Sequence, residues 1–158
     1  MFYDKNQYFA GVSIAQGAIK IIAITIVLAG CTPAFNWREV SFDQAGMTAL
    51  LPCKPDRGVR SVQLAGQAMP MSMAGCESGG AMFTLSLVEV PANAATQAVA
   101  QDLQAGNKAT HSRQLVHGRF VAQAAIYGEP TQGSDGPGAL SAQAVETFLS
   151  NLKMAGSK

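Results

Sequence analysis

Charge is scarce in this chain of 158 residues: 11 are basic and 10 acidic, 13% in all, for a formal net charge of +1. A soluble domain ordinarily carries about 25%. Without a basic excess the chain is not built to bind nucleic acid, where affinity comes from neutralising phosphates. Without an excess of either sign, and with 48% hydrophobic residues, it is not a charged disordered chain. Histidine is limited to two residues and cysteine to three. No apolar run reaches the roughly 20 residues that a spanning helix needs. There is no G-x-S-x-G elbow, no phosphate-binding glycine pattern, no C-x-x-C pair and no zinc spacing. These absences leave no catalytic signature, so neither enzymatic activity nor a cofactor is expected.

Much of the apolar content sits in one place. Ile21 to Gly30 is ten residues without a charge, preceded by Lys20 and followed by Cys31, with Pro33 and Arg38 beyond. Ten helical residues rise about 15 Å, half the hydrocarbon thickness. The run fits the apolar stretch of a signal peptide, with a basic residue before it and small residues at its end. Met1 to Lys20 is longer and more polar than the start of such a leader usually is, and it contains Asp4.

Leu28-Ala29-Gly30-Cys31 resembles the lipobox of bacterial lipoproteins. The resemblance implies cleavage of residues 1–30 as a lipoprotein signal peptide and a chain starting at an acylated Cys31. Lipid would then sit on its sulfur and on its new amino group. Several acyl chains make a stable anchor, since each buried methylene contributes about 0.8 kcal/mol. Thr32 follows the cysteine where an aspartate would imply inner-membrane retention. The expected location is therefore the cell envelope, lipid-anchored and facing the periplasm, with the outer membrane favoured over the inner. An ordinary signal peptide or an uncleaved anchor is the alternative.

Removing residues 1–30 takes away Lys5, Lys20 and Asp4, which leaves basic and acidic side chains in balance. The remainder suits one domain, divided here into an anchor-proximal segment, 31–46, and a single α+β domain, 47–158. With Cys31 assigned to lipid, Cys53 and Cys76 are most simply a disulfide in an oxidising compartment. Closing the loop between them would stabilise by about 3 kcal/mol in the chain-entropy model. Two free buried thiols are the alternative.

Strands come first and helices later. Thr48 to Pro52 is a short apolar run, ended by the turn signal Pro55-Asp56-Arg57-Gly58. Arg60 to Leu64 and Ala68 to Ala74 form a hairpin around Ala65-Gly66-Gln67, and Pro70 marks the second strand as an edge or a bulge. Ala81 to Val90 places Phe83, Leu85 and Leu87 on one face. A helix follows, capped by Asn93, with Ala95, Val99 and Leu103 at fourfold spacing and Gly106-Asn107 as its stop. Two further strands run from Ser112 to Val116 and from Phe120 to Tyr127, before a glycine- and proline-rich loop over 128–138.

Ser141 caps the last helix, in which Val145, Phe148, Leu149 and Leu152 share a face and Leu140 meets Val145 as a hydrophobic staple. Gly156 ends it. The sum is an α+β fold: an antiparallel sheet of about five to six strands packed with two amphipathic helices. In a sequential meander Cys53 and Cys76 would stand two strand spacings apart, about 9.5 Å, beyond disulfide reach. The bond therefore requires either loop residues folded over the strand end or a non-sequential strand order.

Three segments together look like a group of bacterial envelope proteins without assigned activity. They are Asn36-Trp37-Arg38-Glu39-Val40, Leu50-Leu51-Pro52-Cys53-Lys54-Pro55-Asp56-Arg57 and the closing stretch from Val145 to Lys153. More distantly the layout is similar to the PsbP-like α/β/α sandwich of photosystem accessory subunits. The resemblance implies a fold and a non-catalytic binding role, and it transfers no catalytic residue.

Candidate chemistry is sparse. Met69, Met71 and Met73 alternate along one strand, about 7 Å apart between neighbours. Thioethers are soft ligands that favour Cu(I), but methionines on a strand face more often fill core. Periplasmic copper handling through this stripe is one alternative function, and an unrecognised hydrolase is another. His111 and His117 share a strand face about 20 Å apart, too far for one metal. Asp135 has no partner carboxylate nearby in sequence. Phe35 and Trp37, just after the anchor, are expected to pack onto the domain. The leading expectation is a lipid-anchored domain with a binding or structural role. Its partners would be the membrane, through the lipid, and an envelope protein or a small hydrophobic ligand.

Overall fold

The computed structural model describes residues 35–128 and 140–155, which belong to one compact unit, Pro33–Lys158. Among these residues eight strands form two antiparallel sheets, and two α-helices complete the α+β architecture. β1 (Arg38–Phe42), β2 (Met47–Leu51) and the two-residue β8 (Lys153–Met154) make a small sheet in the order β1-β2-β8. The larger sheet has the order β3-β4-β5-β7-β6. It comprises β3 (Asp56–Leu64), β4 (Gln67–Ser78), β5 (Ala81–Glu89), β6 (His111–His117) and β7 (Phe120–Tyr127). Helix α1 (Thr96–Ala105) lies between β5 and β6 in the chain, and α2 (Ala142–Ser150) follows β7. No helix among the described residues is long and apolar enough to cross a membrane.

The larger sheet buries both faces, so its central strands lose their alternation. Six consecutive residues of β7, Val121 to Ile126, are buried. On one face Ala74, Cys76, Phe83, Leu85, Leu87, Ala122, Ala124 and Ile126 join Val40, Phe42, Met47, Ala49 and Leu51 of the small sheet and Phe148 of α2 in the main core. On the other face Met69, Val88 and Val121 pack with Val99 and Ala100 of α1 and with Leu64. The order is thus α1, large sheet, then α2 with the small sheet. The β4–β5 turn, Gly79-Gly80, has both residues at positive φ (59° and 75°). A two-residue hairpin loop matched to strand twist needs that geometry.

Several elements depart from the sequence pattern. The segment 31–46 supplies β1, whose Val40 and Phe42 enter the main core, so the folded domain begins ahead of residue 47. Pro55 to Gly58 is no turn: β3 starts at Asp56, because Arg57 and Gly58 pair with Ala74 and Met73 and the Arg57 guanidinium donates to Ser41 O at 2.9 Å. β4 is interior. Pro70 is tolerated because pairing with β5 begins only at Met71. The first helix starts two residues later than Asn93 suggests, since Pro91 to Ala94 closes a turn and Ala95 takes the cap position without a side-chain bond.

The last helix stops at Ser150. Leu152, expected on its face, is buried beyond it as the chain turns into β8, where Met154 pairs with Met47. Ser141 caps this helix as expected, accepting from Ala144 N at 3.1 Å. Gly156 lies outside the described residues.

Cys53 and Cys76 are disulfide-bonded, with Cα atoms 5.9 Å apart. The meander separation does not apply, because β2 belongs to the other sheet. The link between β2 and β3 carries Cys53 over the end of β4.

Candidate functional site

A cleft of about 310 Å³ opens between the C-terminal half of α1 and the face of the large sheet that α1 covers. Its floor follows from the sheet register. Met73, Ser86, Gln123 and Gln114 are successive cross-strand partners, a row that runs from β4 through β5 and β7 to β6. Met73, Ser86 and Gln123 line the cleft, with Met71 and Thr84 beside them. Ser86 and Gln123, 6% and 4% exposed, are the buried polar residues among those described. The walls are Val62, Gln63 and Leu64 of β3, and Asp102, Leu103, Gly106 and Asn107 at the end of α1, with Tyr127 at the lip.

Each polar group in the floor is partly committed. Ser86 Oγ donates to Gln123 O at 3.5 Å and Thr84 Oγ1 to Ala125 O at 3.3 Å. Gln123 Nε2 donates to Gln104 Oε1 at 3.2 Å, and Gln114 Nε2 to Ala100 O at 3.0 Å. Tyr127 OH donates to Asn107 Oδ1 at 3.1 Å, while Ala65 N donates to Asp102 Oδ2 at 2.9 Å. A buried polar group is costly unless bonded, and these bonds keep the row affordable beneath a helix.

Of the residues singled out by sequence, Met71 and Met73 are half-buried in this cleft, whereas Met69 is 1% exposed and packs under α1. The stripe shares one face, as the alternation implies, but only Met71 and Met73 of the three line the cleft. His111 and His117 are exposed at opposite ends of β6. Among the described residues no group of three or more His, Cys, Asp or Glu could hold a metal ion. Phe35 and Trp37 stack against each other, centroids 5.9 Å apart, and pack on the main core. Cys31, Thr32 and Asp135 lie outside the described residues.

Thr84, Ser86 and Gln123 are the residues that sequence reasoning passes over. The alternation of Thr84 and Ser86 with Phe83, Leu85 and Leu87 reads as a solvent face, yet α1 covers that face. The available signal was Gln123, a long amide inside the otherwise apolar run from Phe120 to Ile126.

Among the described residues the exposed large hydrophobic side chains do not form a patch. Val59 is on β3 and Val116 on β6, at opposite edges of the large sheet, while Met82 and Tyr127 pair at the end of β5 and β7. Comparison with protein-family models, curated proteins and solved structures finds no match to this chain.

Proposed function

We propose that this protein is a lipid-anchored domain of the bacterial cell envelope, facing the periplasm, that binds a small molecule in the cleft beneath α1 and carries out no catalysis. The observation that carries the binding role is the cleft floor, where the buried polar side chains Ser86 and Gln123 sit beside the apolar Met71 and Met73. An apolar pocket with a few convergent polar groups is the usual form of a ligand site, and about 300 Å³ is the lower end of the usual size. Among the described residues the exposed hydrophobics are scattered, which favours a ligand over a protein partner, since the latter calls for a contiguous patch.

The lining supports a non-catalytic role. Among the described residues it holds no histidine, cysteine or lysine, and one carboxylate, Asp102. The Ser86 hydroxyl donates to a backbone carbonyl, whereas a nucleophilic serine donates to a base. The anchor rests on the resemblance of Leu28 to Cys31 to a lipobox.

A thermal-shift screen of small amphiphiles tests the binding role, run on the wild-type chain and on Met73→Trp, which fills the cleft from its half-buried side. Hits that stabilise the first and not the second are expected. A screen without such hits counts against the reading. For the anchor, Cys31→Ala is expected to release the protein from membranes or leave it uncleaved, and unchanged extraction and processing would refute it.

A further inference from the structure

We infer that the cleft selects a small organic cation, a protonated amine carried on a short apolar body; this rests on the reading of the cleft as a ligand site. The floor offers hydrogen-bond acceptors. Thr84 and Ser86 have given their hydroxyl protons to the backbone carbonyls of Ala125 and Gln123, so only their lone pairs remain for anything else. Gln123 has given its amide nitrogen to Gln104, and its Oε1 takes no hydrogen bond from the described residues. An amide oxygen on the cleft lining is open to a ligand that brings donors.

The electrostatics point the same way. Among the described residues Asp102 is the only charged one of the lining, and no lysine, arginine or histidine stands in it. One Asp102 carboxylate oxygen is bonded to Ala65 N, and the other takes no bond from the described residues. The wall beside it is the C-terminal end of α1, the negative end of the helix dipole. Helices commonly offset that charge with a basic residue in the last turn, and α1 has none there.

The cleft is therefore negative at its helical wall, acceptor-rich on its floor, and apolar along Met71, Met73 and Leu103. An anion would meet the Asp102 charge in the lining, and the nearest cation on that face, Arg60 opposite Met71, stands outside it among the described residues. A neutral apolar ligand would leave the floor unpaired. An ammonium donates up to three hydrogen bonds and carries the complementary charge, and the Tyr127 ring at the lip can also face a cation. The volume equals about ten waters, which suits a ligand of roughly that many heavy atoms.

The test is calorimetric titration of the full chain with three probes of one shape: 2-phenylethylamine, 2-phenylethanol and 3-phenylpropanoate. The amine is expected to bind about tenfold more tightly than the alcohol, with no measurable binding of the carboxylate. Asp102→Asn, a change at an exposed residue that keeps an oxygen for Ala65 N, should bring the amine down to the level of the alcohol. Equal or tighter binding of the alcohol or the carboxylate overturns the charge preference while leaving a ligand site in place. Binding of none of the three overturns the inference, and with an empty amphiphile screen the ligand site falls too. Amine affinity unchanged in Asp102→Asn also overturns it, as does tight stoichiometric Cu(I) binding that excludes the amine and is lost in Met71→Leu/Met73→Leu.

Discussion

Cys53 and Cys76, 23 positions apart in the chain, are joined by a disulfide that fastens the link after the small sheet to a strand of the large one. It is the one covalent tie between the two sheets' strands other than the chain itself, among the described residues. Replacing both cysteines by alanine should lower the free energy of unfolding by about 3 kcal/mol, most of it through a less restricted unfolded chain. Urea denaturation of oxidised wild type, reduced wild type and the double variant measures it. The last two should agree.

Phe83 of β5 and Phe148 of α2 meet edge to face, with ring centroids 5.2 Å apart and planes at 89°, both fully buried. This contact holds α2 against the large sheet. Phe148→Ala should cost about 3–5 kcal/mol, and Phe148→Leu clearly less, because it leaves a smaller cavity. Thermal or urea unfolding of the pair ranks them.

The two helix starts differ in kind. Ser141 bonds the N–H of Ala144, whereas Asn93 sits in a turn ahead of α1 and caps nothing. Ser141→Ala should therefore destabilise by about 1 kcal/mol, and Asn93→Ala should stay within about 0.5 kcal/mol of wild type. Equal losses would contradict the assigned caps.

Gly46 closes the turn between β1 and β2 at φ +55°, and a Cβ built there would stand 2.6 Å from the Cβ of Ala155. Its carbonyl accepts from Ala155 N at 3.0 Å, which secures the end of β8. Gly46→Ala should cost about 1–3 kcal/mol through backbone strain and the clash. Amide exchange should accelerate at Met154 and Ala155, with little change in the large sheet.

β3 is a nine-residue edge, exposed over most of its length, with Val59 67% exposed. Arg57 and Arg60 flank that valine. Charged side chains on an edge discourage pairing with another chain. Arg57→Val together with Arg60→Val should produce concentration-dependent association by light scattering, at protein concentrations where the wild-type chain stays dispersed.

How much of this was legible beforehand follows from where the signals lie. α2 announces itself through a cap, a staple and apolar residues at helical spacing, all within one local window. β5 shows itself by alternation, and the β3–β4 hairpin by its turn. β1 and β8 do not, because one offers only Val40 and Phe42 as inward residues and the other is two residues long. Both are strands only because β2 is there to pair with them. The cleft was hidden for a related reason. Ser86 and Gln123 are 37 residues apart and become neighbours through the β5–β7 register, while α1 turns an apparent solvent face into an interior.

The small sheet has a mechanical consequence. The chain enters the described domain through β1, and β1 pairs with β2 alone among the described strands. A pull transmitted along the preceding segment, such as a tether to a membrane would exert, must peel five residue pairs of β1 from β2 and draw Val40 and Phe42 from the core they share with the large sheet, where Arg57 of β3 also holds Ser41 O. The cleft is on the far side of that sheet. Tension on β1 would thus be borne first by the small sheet and the main core, on the face opposite the cleft.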